Sequence, residues 1–351
     1  MSRELIEPGV PGVRARVRPT MKDVAALAGV SLKTVSRVIN GEPTVAADLA
    51  ERVRRAADAL DYQPDLAARN LRSSDRRTRT IGVLLENVAN PFSSAVHHAV
   101  EVQSRARGVA VFAGSVDESP GRERELALAL VARRVDGLII VPAGDDQSYL
   151  ARDQQSGLSL VFVDRPPQLL RADAVLSENE GGSRRAVRHL LAAGHRRIGF
   201  LGDLAGIATV HARLAGYRAA LAEAGIAVDE DLIRLDMYST EVAEAGVRTL
   251  LAECDPTAIF TTQNLITIGA VRGLRSLGLE REIALVGFDD FLLADLLQPA
   301  VTVVAQDPVA IGTAACELLF ARMDGDQSAT GVRTIPTRLI PRGSGEIPPR
   351  P

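Results

Sequence analysis

A small all-α unit ahead of an α/β body of two lobes is the fold class this sequence predicts, on three observations. Helix-period apolar patterning with clear start and stop signals is confined to the first eighty residues. Beyond Arg79, strand-length apolar runs alternate with helix-length amphipathic stretches, the pattern of a parallel sheet covered on both faces. These runs are too many for one such sheet, and 351 residues exceed one ordinary hydrophobic core. Two similar lobes with a cleft between them are therefore expected.

The elements follow in order. Residues 1–19 carry Pro8, Pro11, Pro19, Gly9 and Gly12 and are expected to be a disordered arm. Thr20 with Asp23 forms a capping box, and Val24, Ala25, Leu27 and Ala28 give the first helix its inner face. Gly29 ends it, and Ser31 caps a second helix with Val35, Val38 and Ile39 inward, stopped by Asn40-Gly41. A third helix is expected over 46–60, with Leu49, Val53, Ala56, Ala57 and Leu60 inward, completing a head of residues 20–63. Residues 64–79 hold a short segment, 65–72, and a polar linker. In the body, residues 80–340, strands are expected at 81–85, 109–113, 137–141, 160–163, 197–201, 258–261, 283–286 and 301–304. Helices are expected at 93–107, 118–133, 180–193, 211–224, 240–253 and 265–277. Residues 341–351, rich in Pro and Gly, are expected to be a disordered tail.

Composition narrows the function. Residues 1–80 hold 15 Lys+Arg against 10 Asp+Glu, whereas the remainder holds 26 against 34, so only the head suits a polyanion. No apolar run approaches the ~20 residues of a membrane helix, and the N-terminal residues lack the apolar stretch of a secretory signal, so a cytoplasmic protein is expected. Cys254 and Cys316 are far apart and outside any metal spacing.

Helix, Gly-containing turn, second helix is the arrangement that lays a recognition helix in the DNA major groove. Here the second helix exposes Leu32, Lys33, Thr34, Ser36 and Arg37 opposite an apolar face; an ordinary αα-hairpin would share that spacing. The strings Thr20-Met-Lys-Asp-Val-Ala-Ala-Leu-Ala-Gly-Val-Ser31, Thr34-Val-Ser-Arg-Val-Ile-Asn-Gly41 and Tyr62-Gln-Pro-Asp-Leu-Ala-Ala-Arg-Asn-Leu-Arg72 decide between them. They resemble the headpiece of the LacI/GalR family of bacterial repressors. Asn90-Pro-Phe92, residues 135–140 and 194–202, Arg213-Leu-Ala-Gly-Tyr217 and Val286-Gly-Phe-Asp-Asp290 extend the resemblance to roughly 20–340.

The resemblance implies a helix-turn-helix headpiece, a hinge helix, and two Rossmann-like lobes as in periplasmic binding proteins. It implies that Leu32, Lys33 and Arg37 read the major groove, that Thr34, Ser36 and Asn40 touch phosphates, and that Leu71, with basic Arg72 beside it, wedges into the minor groove. Ala46 departs from the family's frequent Ser cap; Thr44 is a substitute candidate. The implied partners are a palindromic double-stranded operator, a second copy of the chain, and a small carbohydrate-like effector. The apolar stretch 291–297 is a candidate dimer contact, and the tail has no Leu heptads for a tetramerising coiled coil.

Ligands in such bodies bind at the carboxyl ends of strands. That position nominates Asn87, Asn90 with Phe92, Asp164 with Arg165, and Asp289 with Asp290, the last read as structural. The family match adds Arg213, Gln263 and Tyr238. Gln263-Asn264 stands where the family has Asn-Asp, so the effector's identity does not transfer. A periplasmic sugar-binding protein is opposed by the head. An α/β enzyme is opposed by the absence of G-x-G-x-x-G, P-loop, nucleophile-elbow and two-His motifs; neither catalysis nor a cofactor is expected.

Overall fold

In the head, three short helices enclose one apolar cluster because each offers a single narrow apolar face. The computed structural model describes residues 19–39, 42, 44–63 and 77–350, in two compact units divided between Thr78 and Arg79. In the first unit, α1 (Met21–Ala28), α2 (Leu32–Ile39) and α3 (Ala47–Ala59) bury Val24, Ala25, Ala28, Val35, Val53, Ala56 and Ala57 together. Thr20 donates its N–H and hydroxyl to the Asp23 carboxylate, both at 2.7 Å, which holds Asp23 below the usual carboxylate range. Gly29 ends α1 at φ +61°, and Arg52 of α3 donates to the Ala28 carbonyl at 2.6 Å. Leu27, expected inward, is 57 % exposed, because the i, i+1, i+4 set of Val24, Ala25 and Ala28 already fills the face. α3 starts at Ala46, which makes no side-chain cap bond.

The second unit contains two six-stranded sheets with matching order. Lobe 1 has β1 (Thr80–Leu85), β2 (Ala110–Ser115), β3 (Gly137–Ile140), β4 (Ser159–Val163), β5 (Asp173–Ser177) and β11 (Val332–Ile335), ordered β11-β5-β4-β3-β1-β2. Lobe 2 has β6 (Ile198–Leu201), β7 (Ile233–Arg234), β8 (Ala258–Thr261), β9 (Ala284–Phe288), β10 (Thr302–Ala305) and β12 (Arg338–Ile340), ordered β12-β10-β9-β8-β6-β7. All pairs are parallel except β10–β12. Four of the twelve strands, β5, β7, β11 and β12, lie outside the expected set; β7 has two residues, and β11 carries exposed side chains along an edge.

Helices cover each sheet on both faces. In lobe 1, α4 (Pro91–Ala106) lies on one face, joined there by α11 (Pro308–Met323), while α5 (Pro120–Ala132) and the short α6 (Ala151–Gln155) lie on the other. In lobe 2, α7 (Asn179–Ala192) and α8 (Ala208–Glu223) face α9 (Thr240–Cys254) and α10 (Asn264–Leu277) across the sheet. Period-2 alternation divides each strand: Ile81, Val83 and Leu85 meet α4 and α11, and Leu84 meets the opposite face. Each fully buried Ile or Leu adds ~1.5–3 kcal/mol. A Cβ on Gly216 would strike the Glu180 carbonyl, and one on Gly269 the Thr240 carbonyl, so glycine permits the close α7–α8 and α9–α10 approaches.

The chain passes between the lobes three times: from β5 into α7, from β10 into α11, and from β11 into β12. Residues 341–350, expected as a disordered tail, are ordered on lobe 2. Ser344 Oγ accepts from Thr302 N–H at 2.9 Å and donates to the Leu285 carbonyl, and the Ile347 carbonyl meets fully buried His195 at 2.8 Å. The Pro- and Gly-rich composition serves close docking here, since a Cβ on Gly345 would strike Val286 and Thr302.

Candidate functional site

The α2 surface is set by its own cap. Ser31 Oγ accepts from Thr34 N–H at 3.1 Å and bonds the Thr34 hydroxyl at 2.9 Å, so Thr34 is held against the first turn. Leu32 and Lys33 are exposed, and Thr34, Ser36 and Arg37 are half-buried on the same helix. Arg37 Nε lies 3.4 Å from the Glu42 carboxylate. Asn40, Leu71 and Arg72, also expected to meet DNA, lie outside the described residues.

The cleft is built where strands of both lobes end. Asp164 follows β4 and Asp289 follows β9, equivalent places in the two sheets, and both adopt the left-handed backbone at φ +67° and +72°. Arg213, on α8 and 4 % exposed, donates from Nε to Asn179 Oδ1 at 2.9 Å and from Nη1 to the Thr262 carbonyl. Its guanidinium lies 3.9 Å from the Phe288 ring centroid, a cation–π contact. Burial lowers the Arg213 pKa, and the Asp289 and Asp164 carboxylates oppose that; burial raises Asp289, and Arg213 opposes it. Asp289 also accepts from Gln306 Nε2 at 2.5 Å, and Ser177 Oγ donates to Gln306 Oε1, so two of the three crossing segments meet at this carboxylate.

Lobe 1 faces this cluster with a second one. Arg165 is clamped by Glu118 through two bonds of 2.5 and 2.6 Å and also donates to the Pro142 carbonyl at 3.1 Å. Burial pushes Glu86 up to about 7, with Glu118 adding to the shift, Arg165 opposing it, and Asp203 and Asp164 reinforcing it. Asn264 Nδ2 donates to Asn90 Oδ1 at 3.0 Å, a direct bond between lobes. Asn90 also caps α4 by accepting from Phe92 N–H at 3.0 Å.

The structure thus brings Asn90, Asp164, Arg165, Arg213, Gln263 and Asp289 together, Gln263 through its 3.0 Å bond to Asp203. Three nominated residues stand differently. Asn87 spends its amide on Asp117 at 3.2 Å, Phe92 packs against the lobe 1 core, and Tyr238 is 60 % exposed on the loop after β7. Asp290 holds Arg342 at 2.6 Å and accepts from Phe291 N–H, as its structural assignment implied. Sequence reasoning missed Glu86, Glu118, Asn179, Asp203 and Gln306. Glu86, Asp203 and Gln306 directly follow or nearly follow strands, so the strand-end rule could have found them; Glu118 is reached only through its pairing with Arg165.

Comparison with known proteins decides the family. The model for bacterial regulatory proteins of the lacI family matches residues 20–65, and the periplasmic binding protein-like domain matches 187–345. Over 93 % of its length the chain is 31 % identical to the HTH-type transcriptional repressor PurR of Vibrio campbellii, 98 % of which is covered. The chain belongs to the LacI family of bacterial transcriptional regulators. Two solved relatives share its fold. One is the Lac repressor dimer bound to operator and the anti-inducer ONPF, with TM-score 0.82 and 28 % identity over 94 % of this chain and 99 % of that one. The other is the CelR–cellobiose complex, with TM-score 0.69 and 30 % identity over 93 % and 100 %. As a LacI-family member the chain is a DNA-binding transcriptional regulator: α1 and α2 are its helix-turn-helix, and the two lobes are its effector-binding body. No helix among the described residues is long and apolar enough to cross a membrane.

Proposed function

We propose that this LacI-family protein represses transcription in the cytoplasm by binding a palindromic operator as a dimer, under control of a small sugar-like effector held between the lobes. It is a regulator without catalysis. The observation that carries the effector assignment is the buried Arg213–Asp289 cluster facing Asp164 and Arg165 across the cleft. Carboxylates accept from hydroxyls and guanidinium groups donate to them, the mixed chemistry that polyol recognition uses. The cellobiose held by the related CelR supports the same class. For assembly, Leu292, Leu293 and Leu296 are 83, 54 and 71 % exposed within the apolar stretch proposed as a dimer contact.

On the DNA side, Leu32, Lys33 and Arg37 are the proposed base readers, and Thr34, Ser36 and Asn40 the phosphate contacts. Leu71 and Arg72 are the proposed minor-groove pair. Arg37→Ala is expected to cost about 1–3 kcal/mol on a selected operator and to relax preference at one base pair per half-site. Equal losses on operator and random DNA would reduce Arg37 to a phosphate contact. The control mechanism is tested by linkage: an inducer weakens operator binding by the factor by which operator weakens inducer binding. Titrating the chain with an identified effector, with and without an operator selected from random DNA, should give unequal affinities. Identical affinities would remove the proposed coupling.

A further inference from the structure

The charge of the cleft is one-sided. Five carboxylates, Glu86, Glu118, Asp164, Asp203 and Asp289, surround two guanidinium groups. Arg165 uses its two Nη atoms on Glu118 and the Pro142 carbonyl, while its Nε pairs with the charge of Asp164 at 3.4 Å but is buried without a hydrogen-bond partner, a donor left for a hydroxyl oxygen. Arg213 has two of its nitrogens committed to Asn179 and the Thr262 carbonyl and answers the charge of Asp289. Setting Glu118 and Asp164 against Arg165 and Asp289 against Arg213 leaves Asp203, and Glu86 in its ionised form, as the excess. Glu86 and Asp203 belong to opposite lobes, and the charge of Asp203 adds to the rise at Glu86.

An independent observation points to what is missing. Asn264 is fully buried, and its Nδ2 reaches Asn90 in the other lobe, yet its Oδ1 is buried without a hydrogen-bond partner. A buried acceptor left unmade carries its full desolvation penalty, so this oxygen is poised for a donor from a bound molecule. The backbone dipole of the same residue acts on Asp289, which puts Asn264 near the Arg213–Asp289 cluster.

We propose that the effector is a hydrogen-bond donor without negative charge, an unphosphorylated and non-acidic polyol, whose hydroxyls are received by Asn264 Oδ1, Glu86 and Asp203. This rests on the cleft being the effector site. A phosphate or carboxylate would enter a cleft already negative and would bring acceptors where donors are wanted. An amino group supplies the same donor chemistry as a hydroxyl, so an amino sugar is a second source of the same ligand class.

The test is a matched panel on the full-length chain: neutral pyranoses and furanoses, their 2-amino derivatives, their uronic acids and their phosphates, followed by thermal shift and calorimetry. A neutral or amino member should raise Tm, and its phosphorylated or acidic counterpart should bind at least about tenfold more weakly. Replacing Glu86→Gln together with Asp203→Asn should narrow that ratio, and Asn264→Ala should weaken the neutral ligand. A phosphorylated or acidic member that binds as well as its neutral parent overturns the charge class, while loss of that binding in Arg213→Lys would still uphold the cleft as effector site. A neutral ligand indifferent to Asn264→Ala overturns the donor assignment. A silent panel overturns both the inference and the cleft assignment beneath it.

Discussion

The two lobes share a strand order but treat the same position differently. After the fourth strand of lobe 1 comes Asp164-Arg165; after the fourth strand of lobe 2 comes Asp289-Asp290. Both first residues turn through the left-handed region, so the backbone has the same task in each lobe. The side chains diverge. In lobe 1 the second residue points its cation inward, clamped by a carboxylate from the β2–α5 connection. In lobe 2 the second residue turns out to Arg342, and the cation comes from a helix, Arg213 on α8. A duplicated frame therefore fixes where polar groups are collected, and local substitution fixes which lobe holds the fully buried pair.

The largest expected effect breaks that buried pair. Arg213→Ala leaves Asp289 buried without its counter-charge and should lower body stability by about 3–5 kcal/mol, read as a fall in the denaturant midpoint. The matching Arg165→Ala in lobe 1 leaves Glu118 and Asp164 nearer to solvent and should cost about 2 kcal/mol. If the order is reversed, lobe 1 and not lobe 2 holds the tighter cluster.

A pH series sharpens the contrast further. Glu86 sits at about 7 in the folded chain against an ordinary 4.5. The folded state thus holds a proton that the unfolded state has released, so stability falls as pH rises from about 4.5 to about 7 and the loss is complete above that window. The expected penalty is about 3 kcal/mol. Glu86→Gln should flatten the stability profile between pH 5 and pH 7 (roughly the midrange of the titration); an unchanged profile assigns the slope to other groups. The smallest effect is expected outside the cleft. Asp290→Ala loses a partly exposed ion pair and one loop bond, about 0.5–1 kcal/mol, and should leave effector affinity unaltered. A large loss of affinity would return Asp290 to the cleft.

What was legible in the sequence follows from where the signals reside. Buried strands such as Ile81–Leu85 and Ala258–Thr261 announce themselves because both faces are covered and nearly every residue is apolar. The edge strands β11 and β12 carry Arg333, Thr334 and Arg338, so no apolar run marks them. Strand ends located Asp164, Arg165 and Asp289, since the chain must turn there. Asn179 escaped because the strand before it, β5, was not marked in the sequence, whereas Gln306 follows an expected strand and was open to the same rule. Pro and Gly in residues 341–350 read as disorder because composition does not reveal the surface that receives them.

The passage of the chain from β11 to β12 has a consequence for synthesis on the ribosome. Those two strands complete the two sheets, and both lie within residues 332–340. A nascent chain can offer all three helices of the first unit early, while each lobe waits for an edge strand made after all its other strands. Products terminated before Val332 would then retain the sequence of the DNA-reading unit but neither finished lobe, since loss of residues 332–340 takes an edge strand from both.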